Sequence, residues 1–146
     1  MIPKDFFKPE ELSALHASIH EAEKSTSGEI RLHIENVCKY DVLDRAADVF
    51  KELAMHKTEL RNGVLFYLSI KDRKFAIIGD AGINTKVPAG FWDSIKEIVL
   101  THFKNGLYAK GLCEGIEKAG LKLSEHFPYS NNDINELSND ISFNKN

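Results

Sequence analysis

The stretch Val64-Leu65-Phe66-Tyr67-Leu68-Ser69-Ile70 constrains the fold most, being apolar almost throughout and rich in aromatic and β-favouring residues. A run this short, bounded by the turn pair Asn62-Gly63, predicts a central strand covered on both faces. The polar break Lys71-Asp72-Arg73-Lys74 leads into Phe75-Ala76-Ile77-Ile78, which reads as the return strand of a hairpin. A strand buried on both faces needs a layer above and a layer below.

The flanking segments supply those layers. Pro9 suits the first position of a helix, and Glu10 and Glu11 suit its first turn. Leu12, Leu15, Ile19 and Ala22 then recur at helical spacing, and the turn formers Ser25 to Gly28 end the run. Glu29 to Glu35 alternates strictly, with Ile30, Leu32 and Ile34 on one face and Glu29, Arg31, His33 and Glu35 on the other. That is a half-buried strand whose polar face suggests a place near the sheet edge. Tyr40 to Ala54 returns to helical spacing, with Asp41 as N-cap. Gly79-Asp80-Ala81-Gly82 opens a loop running to about Gly90. Phe91, Trp92, Ile95, Ile98, Val99 and Phe103 predict a helix stopped near Gly106. Leu112, Ile116, Ala119, Leu123 and Phe127 predict a last helix ending before Pro128.

The order α-β-α-β-β-α-α implies a right-handed crossover between two parallel strands, with the hairpin adding a third antiparallel strand. The expected fold is a three-layer α/β/α sandwich around a small mixed sheet, spanning residues 1–128, with a polar C-terminal tail over 129–146. The chain's 146 residues suit one domain of roughly 100–200 residues.

Nineteen Lys+Arg against 22 Asp+Glu leave a formal charge of −3, unlike the basic balance of a phosphate-gripping nucleic-acid binder. No apolar run approaches the roughly 18 residues of a membrane span, and MIPKDFFKPEE lacks the apolar core of a signal peptide. Two cysteines, Cys38 and Cys113, cannot make a disulfide framework. These observations predict a cytoplasmic protein with free thiols, no membrane segment and no nucleic-acid partner.

The topology brings Ser27-Gly28-Glu29, Arg61-Asn62-Gly63 and Gly79-Asp80-Ala81-Gly82 to one end of the sheet. Glu29 and Asp80, helped by Asn62 and backbone carbonyls, are oxygen donors suited to a hard cation such as calcium. Arg61 could instead hold an anion there. Glycine and polar residues are also what ordinary turns use. The opposite end, beyond the carboxyl ends of the parallel strands, is the rival, with Asp41, Asp44 and Asp72 as its acids. A charged Lys-Asp-Arg-Lys turn is equally ordinary surface.

Other motifs are incomplete. Cys38 and Arg45 enclose six residues where a thiol-phosphatase loop needs five, and no glycine cradles a phosphate. His16 and His20 have a metal pair's spacing but no third ligand, and a solvated helix face is the default. Asn131, Asp133 and Asn135 begin like a calcium loop, but Glu136 and Ser142 stand where glycine and a bidentate Glu are required.

Three runs together, TSGEIRLHI, RNGVLFYLSIKDRKFAIIGDAGI and FW…I…HFKNGLYAKGLCEGI, resemble the TPM domain, the TLP18.3/Psb32/MOLO-1 family, over about Phe7 to Phe127. The resemblance is closest to short stand-alone bacterial members. It implies an α/β sandwich. Plant members of the family are linked to acid phosphatase activity, several members bind calcium, and membrane-anchored members serve as accessory subunits. Many relatives carry an acidic residue before Asn-Gly where this chain has Arg61. Three functional expectations follow, in order. The first is a non-enzymatic binding module that takes a divalent cation, calcium, at Glu29, Asn62 and Asp80. The second is a weak metal-dependent acid phosphatase, implied by the resemblance alone. The third is a protein-interaction domain using the tail or the surface near Phe91 and Trp92.

Overall fold

The computed structural model describes residues 3–129 and 141–144. Helix α1 (Pro9–Glu23) opens with Pro9, and the Glu11 carboxylate reaches back to accept from the Lys8 amide at 2.8 Å. Strand β1 (Glu29–Glu35) is followed by α2 (Val42–Glu52), whose N-cap Asp41 accepts from the amides of Leu43 and Asp44. A 3-10 turn at Met55–Lys57 leads to β2 (Gly63–Ser69) and its hairpin partner β3 (Lys74–Gly79). The single turn α3 (Ala81–Asn84) precedes the long helices α4 (Phe91–Lys104) and α5 (Tyr108–His126). Gly106, at φ +75°, makes the sharp reversal between them in a backbone region that side-chain-bearing residues avoid.

The sheet order is β3-β2-β1-β4. Strands β1 and β2 run parallel with Glu29 opposite Gly63, and β2 and β3 run antiparallel with Val64 opposite Gly79. Strand β4 (Ser142–Asn144) pairs parallel to β1, with Ser142 opposite His33.

Every residue of β2 is buried, because the strand is covered on both sides. Val64, Phe66 and Leu68 join a core with α1, α4 and α5, while Leu65 and Tyr67 join a second core with Ala46, Val49 and Phe50 of α2. Two cores on opposite faces of one sheet make the three-layer α/β/α arrangement. Among the described residues, no helix is long and apolar enough to cross a membrane.

Two local expectations change. Strand β1 lies near the sheet edge, beside β4, but it is not half-buried: on its polar face His33 and Glu35 are 5% and 0% exposed. Period-2 alternation marks which side chains share a face but not whether that face is wet. The stretch after Gly79 is not loop throughout, because Asp80 caps the short turn α3. The last helix starts at Tyr108, just after Gly106, and Ala109 and Gly111 join Leu112 in facing the core. Of the polar tail, residues 130–140, 145 and 146 lie outside the described residues, as do Asn131, Asp133, Asn135 and Glu136 of the rejected calcium-loop motif. Ile141 is buried in the main core at 7% exposure.

Candidate functional site

The strand register brings Glu29, Asn62 and Asp80 to one end of the sheet. Glu29 begins β1, and its amide donates to the Asn62 carbonyl at 3.3 Å. Asp80 follows β3, and its amide donates to the Gly63 carbonyl at 2.9 Å. All three side chains are buried, at 3%, 2% and 6% exposure in that order. Among the described residues, the Asn62 amide nitrogen Nδ2 has no hydrogen-bond partner, and nor does the Thr58 hydroxyl four residues earlier.

Arg61 has a definite place here. Its guanidinium donates through Nε to Oδ2 of Asp80 at 2.7 Å and through Nη2 to Oδ1 at 2.8 Å. This two-pronged ion pair is the strong, directional kind. Oδ1 of Asp80 also accepts from the Ala81 amide at 2.7 Å. The Arg61 backbone sits at φ +51°, strained for a residue with a side chain. Gly82 lets α3 approach this loop: a Cβ there would fall 2.1 Å from the Leu60 carbonyl oxygen and 2.6 Å from that of Arg61. The Ile83 amide donates to the Arg61 carbonyl at 3.3 Å and ties the two segments together. Beside this end, Asn84 accepts from the Trp92 indole at 2.8 Å and donates to the Gly79 carbonyl at 2.8 Å.

The three rival acids do not form one group. Asp41 is occupied by the α2 cap, and Asp44 is exposed in the first helical turn. Asp72 accepts from the Cys38 amide at 2.8 Å and stays half-buried in the hairpin. Among the described residues, no three His, Cys, Asp or Glu side chains are grouped to hold a metal ion. A cation at the Glu29 end would therefore depend on Asn62 and backbone carbonyls as well as on the two acids.

A second polar cluster corresponds to no sequence motif. Glu35, at the end of β1, is fully buried. Arg45 of α2 donates to it twice, through Nε to Oε2 at 2.9 Å and through Nη2 to Oε1 at 2.6 Å. The Tyr67 hydroxyl donates to Oε2, and Nε2 of His33 lies 3.0 Å from Oε1. Burial alone would raise the Glu35 titration, but Arg45, His33 and Tyr67 outweigh it and bring it down to about 2. Burial and the Glu35 carboxylate push Tyr67 far above the ordinary phenol range, so it stays a hydrogen-bond donor. The His33 ring stacks on Tyr67 with centroids 6.0 Å apart. Its Nδ1 meets the Ser142 hydroxyl at 2.7 Å. The alternation of β1 places His33 and Glu35 on one face, so half of this cluster was legible. Arg45 and Ser142 carry no spacing signal that joins them to it.

Of the two thiols, Cys38 is buried and Cys113 half-buried. Burial raises the Cys113 thiol above its ordinary value, which makes it less nucleophilic.

Known proteins match this architecture. The family model described as the TPM domain matches residues 2–121. The NMR structure of BA42 from the psychrophilic bacterium Bizionia argentinensis is 47% identical, covers 95% of this chain and 96% of its own, and superposes with a TM-score of 0.88. The N-terminal domain of a protein from P. gingivalis shares the fold at 19% identity and a TM-score of 0.70, covering 86% of this chain and 83% of its own. The N-terminal domain of the cg2496 protein from Corynebacterium glutamicum does so at 13% identity and a TM-score of 0.65, covering 85% and 78%. No curated protein matches the sequence. The family match spans most of the chain, and the close structural neighbour extends it almost end to end, so the chain belongs to the TPM domain family.

Proposed function

We propose that this protein is a binding module that takes a divalent cation, calcium, at the strand end formed by Glu29, Asn62 and Asp80. One observation carries the reading. The parallel and hairpin registers place three oxygen-bearing side chains at one end of the sheet, each less than a tenth exposed. The Asn62 amide is buried there with its Nδ2 unpartnered among the described residues, so turning the amide presents Oδ1 to a ligand without breaking a bond to Nδ2 that those residues make. Hard cations favour such sets of carboxylate, amide and backbone oxygens, and calcium tolerates irregular geometry.

Arg61 acts as the competitor. Its fork occupies both carboxylate oxygens of Asp80, so a cation gains Asp80 only by displacing it. The test is calorimetric titration of calcium and magnesium into metal-free protein, with Asp80→Asn and Arg61→Gln alongside. The expected result is saturable binding that Asp80→Asn abolishes and Arg61→Gln tightens. No binding at millimolar calcium, or equal affinity in all three proteins, overturns the proposal.

A further inference from the structure

At some distance from the proposed cation site, three side chains line up in order of increasing depth. Ser142 on β4 is partly exposed, His33 on β1 is 5% exposed, and Glu35 is 0% exposed. The Ser142 Oγ to His33 Nδ1 distance is 2.7 Å, and His33 Nε2 to Glu35 Oε1 is 3.0 Å. A hydroxyl at the surface, an imidazole behind it and a carboxylate at the bottom is the order a base-activated nucleophile requires.

The hydrogen bonds fix the roles. Glu35 carries the Arg45 fork and the Tyr67 hydroxyl, which keep it ionised and immobile. An ionised carboxylate only accepts, so Nε2 of a neutral His33 carries the proton and Nδ1 is left as an acceptor. The Ser142 hydroxyl has two acceptors within reach, His33 Nδ1 at 2.7 Å and the Leu32 carbonyl at 3.4 Å, and the shorter contact takes its proton. The pairing of β4 on β1 sets His33 directly opposite Ser142, so the strand register itself aims the hydroxyl. On this side of the sheet, α2 packs chiefly over β3 and β2.

We propose that Ser142, His33 and Glu35 form a serine relay that attacks small carboxylic esters. Ser142 Oγ bonds to the ester carbonyl carbon while its proton passes to His33 Nδ1. The acyl–oxygen bond then breaks, and the leaving alkoxide takes that proton from His33, which leaves an acyl-serine. Glu35 stays ionised throughout and stabilises the transient imidazolium. Arg45 and Tyr67 are positioning residues that act through Glu35.

The 146-residue chain is treated with p-nitrophenyl acetate and, separately, with a fluorophosphonate that forms a serine–phosphorus bond with loss of fluoride. Intact mass and peptide mapping then locate the adduct. The expected result is one adduct, on Ser142, absent in Ser142→Ala. It should form at least about 100-fold more slowly in His33→Gln, the usual size of a general-base contribution. The same labelling in urea keeps the test independent of whether His33→Gln folds. Unfolding disperses the relay, so native Ser142 should react at least about 100-fold faster than unfolded Ser142. No adduct on Ser142, or a native rate no greater than the unfolded rate, overturns the proposal and leaves the three residues as a clip that holds β4 to the sheet.

Discussion

Replacing Glu23 by Gln should stabilise the protein at alkaline pH and leave it unchanged in acid. Glu23 ends α1 and turns back to accept from the Ile30 amide at 2.7 Å, beside the start of β1. Its carboxyl is largely buried. Burial raises its titration from 4.5 to about 7; the Ile30 hydrogen bond opposes the rise and the neighbouring Glu29 charge adds to it. The folded state thus holds a proton that the unfolded chain has released. Stability from this group is fully present below pH 4.5 and is lost as pH rises through 7. At about 1.4 kcal/mol per pH unit of displacement, the full cost of ionisation is about 3 kcal/mol, and solvent access to the group reduces it to about 2 kcal/mol. Glutamine keeps an acceptor for the Ile30 amide and never ionises. Urea unfolding at pH 5 and pH 8 measures the effect. The wild type should lose about 2 kcal/mol relative to Glu23→Gln over that interval, or roughly 5 °C in Tm for a chain of this size. A Glu23→Gln difference that is the same at both pH values refutes the reasoning.

Further outcomes follow from packing and charge. Glu35→Gln leaves the Arg45 guanidinium buried against a neutral amide, so it should destabilise by about 3–5 kcal/mol in urea unfolding at pH 7, whereas Glu52→Gln, at the exposed 3.4 Å contact to Arg45, should cost under about 1 kcal/mol. Because Glu35 is held down to about 2, its contribution is present above pH 4.5 and disappears as pH falls towards 2, and the acid-unfolding curve of Glu35→Gln should be flatter there. Gly82→Ala drives a methyl into the Leu60 and Arg61 carbonyls; it should cost about 2–3 kcal/mol by thermal denaturation and shift the backbone resonances of residues 60–62. Resonances there that stay in place would show that α3 does not brace that loop.

How much was legible can be judged residue by residue. The hairpin register follows from a hydrophobic run, a charged turn and a second run, so Gly79 and Asp80 had to return beside Gly63. With β1 parallel to β2, Glu29 had to join them, and the meeting of Glu29, Asn62 and Asp80 is a consequence of connectivity. The sequence offers Arg61 as an anion holder but gives no sign of its fork onto Asp80, because side-chain reach across a turn has no sequence period. The alternation of β1 gives His33 a face but no partner, yet it lies between a buried carboxylate and the hydroxyl of a residue 109 positions away.

What the sequence by itself determined is the set of elements, their order and which side chains share a face. Periods of 2 and 3.6, glycine and proline punctuation and the right-handed crossover rule are local or nearly local, so they survive without coordinates. Only the tertiary structure decided that the polar face of β1 is buried. That result needs Arg45 from α2, Tyr67 from β2 and Ser142 from β4 to converge on His33 and Glu35 and satisfy them together. A buried charge is tolerated when its partners arrive from several elements at once, and their simultaneous arrival is a property of the packed fold.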